Sequence, residues 1–477
     1  MKYSKCGRGI AMKIWINKQS KESPTEDYNE SYIFNVLEKR NESNVTTDVE
    51  ELWQDIGINN LDNIYEDLLI IGISLFCADK RVLRSFFDDS WTRYIEINIP
   101  VLEISKWNSV KKDMEQMLGF LSGDIWIIQF RRSNLRLRTN DKKNDSEILM
   151  NSFDAVSLFS GGLDSFCGAL KLMKEGINTC FVGFREYNSV SQRQNDLYKA
   201  IDKHYPEVEK SLMLFGVSPK TPKDINDDNI YTRVESTSRS RSFLFLSGAV
   251  AIASTISKDI PVYIPENGFI GVNVPLTDSR NGSCSTRTTH AYFIKDFNDM
   301  LQKVGINNKV LNFYAFKSKG EIVQEHKDNP VFIENASKTI SCSHPCHARY
   351  SGYTNPLNCG YCYPCLIRKA SLNSIGYADD NYNPDYTLNK NFIDEFNKIN
   401  GKASDLKAVL LSLKRYLIHK DDENYIRHIL LKHGQINKEE LKKYEVVYRK
   451  SMEELLQMFI EEDKRNHGGL LDYLGYR

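Results

Sequence analysis

Residues 156–165 read Val-Ser-Leu-Phe-Ser-Gly-Gly-Leu-Asp-Ser, and no other stretch limits the fold as tightly. Val156 to Phe159 make a short apolar run suited to a buried strand, and Phe166 to Lys174 carry helical spacing. Ser160 to Ser165 must then turn the chain between them. Gly161 and Gly162 lack a Cβ, so the backbone can bend sharply there and approach a ligand closely. The helix that follows presents N–H groups and the positive end of its dipole, which suits phosphate. Leu158, Phe159, Ser160, Gly161, Gly162, Leu163, Asp164 and Ser165 are therefore the expected residues of a nucleotide-pyrophosphate site. Asp164 would repel phosphate unless it held a divalent cation, so Mg²⁺ is expected beside it. A strand–Gly-Gly–helix turn also serves as a plain connector; the full Ser-Gly-Gly-x-Asp-Ser pattern is what favours a site. It is neither a Walker A loop, since no Gly-Lys-Ser/Thr follows, nor Gly-x-Gly-x-x-Gly.

The chain from Asp154 onward alternates short strands with helices: Asn178 to Phe184, Gln192 to His204, Leu212 to Phe215, Phe243 to Ile256 and Ile260 to Ile264. Such alternation predicts an α/β fold with a mainly parallel sheet, whose ligands lie beyond the carboxyl ends of the strands. Three further stretches fall at that edge. Arg239 and Arg241 precede the apolar helix, Glu266 and Asn267 follow a strand, and Arg287 and His290 close the polar stretch from Asn281. Each is a candidate substrate or phosphate contact, with an ordinary loop as the plain alternative for each.

At 477 residues the chain exceeds one ordinary core, and three regions are expected: 1–150, an α+β domain with a polar start; 151–372, the α/β domain that carries the glycine turn and the cysteine cluster; and 373–477, helical. Leu68 to Ala78 is too short to span a membrane and reads as a buried strand or core helix. Asp79, Arg81 and Trp91 read as surface charge and core tryptophan. Arg131 to Asp145 reads as a solvated strand end and linker, because no aromatic residues interleave its basic ones to stack nucleic-acid bases. Leu406, Val409, Leu410 and Leu413, and later Met452, Leu455, Leu456 and Phe459, recur at helical spacing, and Asn437 reads as a helix cap. Lysine plus arginine and aspartate plus glutamate both total 63, which argues against a dedicated polyanion binder. No secretory signal pattern opens the sequence, and a cytoplasmic location is expected.

Several of the ten cysteines crowd into one stretch, which favours a local metal site over a dispersed disulfide scaffold. Cys359, Cys362 and Cys365 have C-x-x-C-x-x-C spacing, so three thiolates can converge on one ion. Cys342 is the expected fourth ligand, Cys346 the reserve, and His344 and His347 stand behind it. Ferredoxins use the same spacing for iron–sulfur clusters. A fourth upstream cysteine fits a closed Zn²⁺ tetrathiolate, with a structural role.

Ser160-Gly-Gly-Leu-Asp164-Ser165 resembles the PP-loop of the ATP pyrophosphatase superfamily. Together with Ser341-Cys342 and Cys359-Gly-Tyr-Cys362-Tyr-Pro-Cys365-Leu-Ile-Arg368, it resembles the QueC-like 7-cyano-7-deazaguanine synthases over about residues 154 to 372. The resemblance implies a PP-loop domain with a four-cysteine zinc site. It also implies that Leu158 to Ser165 bind ATP, with Asp164, Ser160 and Ser165 as the catalytic set, and that ATP-dependent adenylation of a 7-deazaguanine carboxylate is followed by amide and nitrile formation with ammonia. The long Cys342–Cys359 gap and the extensions at both ends look more like the QueC-like proteins of anti-phage loci of the Qat and type IV CBASS kinds. There a partner protein's amine is a possible acceptor. A PP-loop tRNA thiolation or amidotransfer enzyme and a non-catalytic nucleotide-binding scaffold are the competing expectations.

Overall fold

The computed structural model describes residues 4–6, 9–18, 21–36, 42–56, 61–137, 152–186, 188–220, 234–235, 238–276, 287–383, 386, 388, 391, 394, 403–432, 434–466 and 469–476. The far end of the charged stretch after Arg131 and the hydroxyl-rich residues 281–286 lie outside them.

In the first region, β1 (Ser4–Cys6), β2 (Gly9–Lys18) and β3 (Tyr32–Val36) precede the short strand β4 (Val45–Thr47) and the helix α1 (Val49–Ile56). Helix α2 (Asn63–Arg81), β5 (Tyr94–Val101), α3 (Ile104–Ser122) and β6 (Ile125–Arg132) follow. β3, β5 and β6 enter the sheet in parallel pairings, β3 and β5 on β2 and β6 on β5; β1 pairs antiparallel with β2. The expected α+β unit is thus a mostly parallel sheet with α3 crossing between β5 and β6. Its sequence signal misled because β5 alternates only at its start: Ile97 to Val101 are buried without interruption, as in a strand covered on both faces.

Leu68 to Ala78 belongs to a helix. Apolar residues occupy every side of α2, so it must be covered all round. Its neighbour is α6 (Arg241–Ile256), and the two approach so closely that a Cβ on Gly72 would meet Ser247 at 2.9 Å. One apolar core consequently runs from Met12 to Val310.

The second sheet comprises β7 (Ala155–Leu158), β8 (Thr179–Phe184), β9 (Lys210–Phe215), β11 (Val262–Tyr263) and β12 (Val310–Leu311), all paired in parallel. Helices α4 (Leu163–Lys174), α5 (Asn188–His204) and α6 connect its strands, as do α7 (Gly268–Val272) and α8 (Ala291–Val304). β10 (Val217–Pro219) leaves this layer to pair antiparallel with β4. After it come α9 (Lys319–Gln324), α10 (Pro330–Asn335) and α11 (Tyr363–Ser374).

The remainder is helical: α12 (Ser404–His419), α13 (Glu423–Leu431), α14 (Lys438–Arg465) and α15 (Leu470–Leu474). The Asn437 side chain accepts the Glu440 N–H, capping α14 as expected. Both apolar stripes are buried and share a second core with α7 and the cysteine segment.

Candidate active site and metal centre

Strand order in the second sheet is β12-β11-β7-β8-β9. The chain builds outward from β7 in one direction and then returns to β11 on its other side, so the order reverses between β7 and β11. A crevice opens beyond the carboxyl ends of the strands at such a reversal. Ser160 to Ser165 leave β7 there, and Pro265, Glu266 and Asn267 leave β11 beside them.

The corner itself is tighter than its sequence suggests. Helix α4 begins at Leu163, three residues before the expected start, so Asp164 and Ser165 occupy its first turn. Gly161 has φ +78°, a backbone region that favours glycine, and a Cβ there would meet Gln194 Cγ at 3.0 Å. Gln194 Nε2 in turn donates to the Phe159 carbonyl at 3.0 Å. Ser160 is exposed and Gly162 half-buried, so the corner is open on its outer side. The Ser160 and Ser165 hydroxyls lie 3.1 Å apart, and Gly162 N–H donates to Ser160 Oγ at 3.3 Å.

Asp164 points inward. Its Oδ2 accepts Asn267 Nδ2 at 2.9 Å and pairs with Lys319 Nζ at 3.1 Å. The second hydrogen of the same amide reaches Glu266 Oε1, also at 2.9 Å. Burial alone would push the Asp164 carboxyl up, but Lys319, Glu266 and Asn267 together hold it below the usual carboxylate range. Glu266 goes the other way: burial, and then the charge on Asp164, push its carboxyl well above the usual range.

For the Mg²⁺ expected at Asp164, Oδ2 is already shared between an amide and an ammonium group, which leaves Oδ1, buried and without a nitrogen or hydroxyl donor among the described residues, as the oxygen a cation could use. The cation facing Asp164 is Lys319. That lysine sits at the first position of α9, whose cap Ser318 donates to Glu454 of α14, while Gly320 N–H donates to the same carboxylate at 3.1 Å. Burial pushes Glu454 up to about 7. Helix α14 thus holds the turn that delivers Lys319.

Cys342, Cys359, Cys362 and Cys365 bring their Sγ atoms within 4.8 Å of one another and could hold a metal ion. The Cys342–Cys362 and Cys359–Cys365 separations are both 3.9 Å. A tetrahedron with zinc–sulfur bonds of about 2.3 Å has edges of about 3.8 Å, so the set fits a tetrathiolate. Backbone N–H groups of His344 and Cys359 donate to Cys342 Sγ, and that of Cys362 to Cys359 Sγ, as suits negatively charged sulfur. Cys346 is outside the cluster, 3.8 Å from Ser189 Oγ. The cysteine segment touches the corner directly: Ile340 N–H donates to the Gly161 carbonyl at 3.0 Å, and Leu163 N–H to Ser341 Oγ at 3.3 Å.

The other expected contacts are engaged elsewhere. Arg241 pairs with Glu186 at 2.8 Å, and Arg239 offers its backbone N–H to Asp79. Arg287 donates to the Phe120 carbonyl and lies over that ring; His290 is fully buried, packs edge-on against Phe120, and caps α8 by accepting the Tyr292 N–H. Of the six, the structure joins Glu266 and Asn267 to Asp164. Arg368 is buried and bound to Asp379, Thr339 and Ala336. Asp79 and Arg81, read as surface charge, are buried, and Trp91, read as core, is exposed. Lys319 was missed, since a lysine at a helix start reads as solvated; only its capping-box neighbours Ser318 and Glu321 signalled the element.

No described helix is long and apolar enough to cross a membrane. No family model, curated protein or solved structure matches the chain, so its α/β fold and its cysteine centre stand on the geometry above.

Proposed function

We propose that the protein is an ATP-dependent adenylating enzyme that cleaves ATP to AMP and pyrophosphate while activating a carboxylate. The observation that carries this reading is the glycine corner at the reversal of strand order, open at Ser160 and backed by the Asp164–Lys319 pair. Phosphates would rest on the N–H groups at the start of α4 and on the Ser160 and Ser165 hydroxyls. The substrate carboxylate attacks the α-phosphorus, and the resulting acyl-adenylate is taken by an amine. The combined corner and cysteine motifs, through their resemblance to QueC-like enzymes, favour a 7-deazaguanine acid as substrate. Ammonia or a partner protein's amine is the acceptor, in a PP-loop enzyme of anti-phage defence. Zn²⁺ held by Cys342, Cys359, Cys362 and Cys365 would be structural: four thiolates leave no open position for substrate.

Incubating the protein with ATP, magnesium, 7-carboxy-7-deazaguanine and ammonia should yield AMP, pyrophosphate and an amide or nitrile by mass spectrometry. ADP and phosphate, or unchanged ATP with this and other carboxylates, would refute the reading.

A further inference from the structure

The cluster around Asp164 has a charge and hydrogen-bond count that two ionised carboxylates cannot satisfy. Asn267 uses one amide hydrogen on Asp164 Oδ2 and the other on Glu266 Oε1. Lys319 also faces Asp164 Oδ2. Asp164 Oδ1 is buried and receives no donor from any nitrogen or hydroxyl group among the described residues. The carboxyl that could supply one is Glu266, held beside Asp164 by the same Asn267 amide. With both acids ionised, the dry site would carry one negative charge in excess and an oxygen without a donor. A proton on Glu266 removes both faults.

The surroundings agree. Lys319 from α9 and Asp164 from α4 are the charged groups facing Glu266; Cys167, behind Asp164, is kept neutral by burial. Asn312 engages only the Glu266 backbone. Asp164, Asn267 and Lys319 are all nearly sealed, at 6%, 0% and 2% exposure, whereas Glu266 is only half-buried. Glu266 is therefore the member of the cluster that can exchange a proton with whatever occupies the crevice.

We propose that Glu266 is the proton carrier of this site, a carboxylic acid that donates to Asp164 at rest and to the leaving group during reaction. The chemical half of the proposal rests on the adenylation reading. As the substrate carboxylate forms its bond to the α-phosphorus, the bond from that phosphorus to the bridging oxygen breaks. The oxygen keeps the electron pair and takes the Glu266 proton. In the second half-reaction the amine nitrogen bonds to the acyl carbon, AMP departs with the C–O electron pair, and the proton lost by the nitrogen restores Glu266. Each turnover leaves Glu266 as it began, and Lys319 compensates Asp164 throughout.

Glu266→Gln is the informative variant, because its amide is isosteric and can still donate to Asp164 Oδ1, preserving the fold. At neutral pH the wild-type-minus-variant infrared difference spectrum, in which the Glu454 carboxyl cancels, should show the C=O stretch band of one un-ionised carboxylic acid. Acid-dependent exchange of labelled pyrophosphate into ATP should fall by about a hundredfold or more. The wild-type rate should decline as pH rises and ionises Glu266, a limb the variant should not show. Absence of the band, or a variant exchanging at the wild-type rate with the same pH profile, overturns the proposal. A wild-type protein that exchanges no pyrophosphate with any carboxylate defeats the adenylation reading, and the infrared band then decides alone whether Glu266 stores a proton.

Discussion

Asp79→Ala is expected to destabilise the fold by about 3–5 kcal/mol, the range for removing one partner of a buried ion pair. Asp79 is fully buried at the end of α2 and joins two regions of the chain. Its Oδ1 accepts Arg93 Nη2 at 2.6 Å, and its Oδ2 accepts the backbone N–H groups of Arg239 and Ser240 and the Ser240 hydroxyl. Those donors stand at the start of α6, so a carboxylate from the first region meets the positive end of a helix in the second. Arg93 is shared with Asp124, which also receives Arg84. Alanine would strand part of the Arg93 charge in a dry site and open the start of α6. Burial would push the Asp79 carboxyl up, but Arg93 and Ser240 hold it below the usual range. Its contribution is thus complete at neutral pH and is lost as pH falls through that lowered value. Urea unfolding of the variant checks this; a loss under about 1 kcal/mol would mean that the junction is not under load.

If the cysteine centre holds zinc, as proposed, stripping it should have an effect at least as large. Structural zinc contributes about 10–16 kcal/mol of apparent free energy in small zinc-folded peptides, and here Cys359, Cys362 and Cys365 also belong to the core formed with the C-terminal helices. The purified protein should contain about one equivalent of zinc. Chelation, or Cys365→Ser, should release the segment around residues 340–365. Ile340 and Ser341 would then no longer hold Gly161 and Leu163, and amide hydrogen exchange at the corner should speed up together with that in the metal loop. A protein that loses zinc yet keeps slow exchange at residues 160–163 would show that the corner does not depend on the metal. Iron and sulfide in place of zinc would overturn the metal assignment.

Much of the corner was legible because its information is local. Apolar strand, paired glycines and helix spacing occur within twenty residues, and backbone preferences at Gly161 act without distant partners. The cysteine spacing was equally local, but the choice of Cys342 over Cys346 depended on a loop whose path spacing does not determine. What escaped the sequence lies in long-range pairs. Asp79 looked like surface charge because its partners, Arg93 and the start of α6, are 14 and about 160 residues away. Lys319 meets Asp164 only after the chain has crossed β11 and β12, so nothing beside either residue marks the pair. Arg287 and His290 looked like site residues because polar loop residues at a helix start resemble ligands; Phe120, from the first region, claims both.

The adenylation proposed for the crevice between β7 and β11 takes place at the α-phosphorus of ATP. Its most direct test follows labelled pyrophosphate into ATP with and without 7-carboxy-7-deazaguanine, in wild-type protein and in Asp164→Asn, which unbalances Lys319. Exchange should require the acid and collapse in the variant while zinc content is retained. Exchange that survives in Asp164→Asn, or label that enters ATP equally well without any acid, would contradict it.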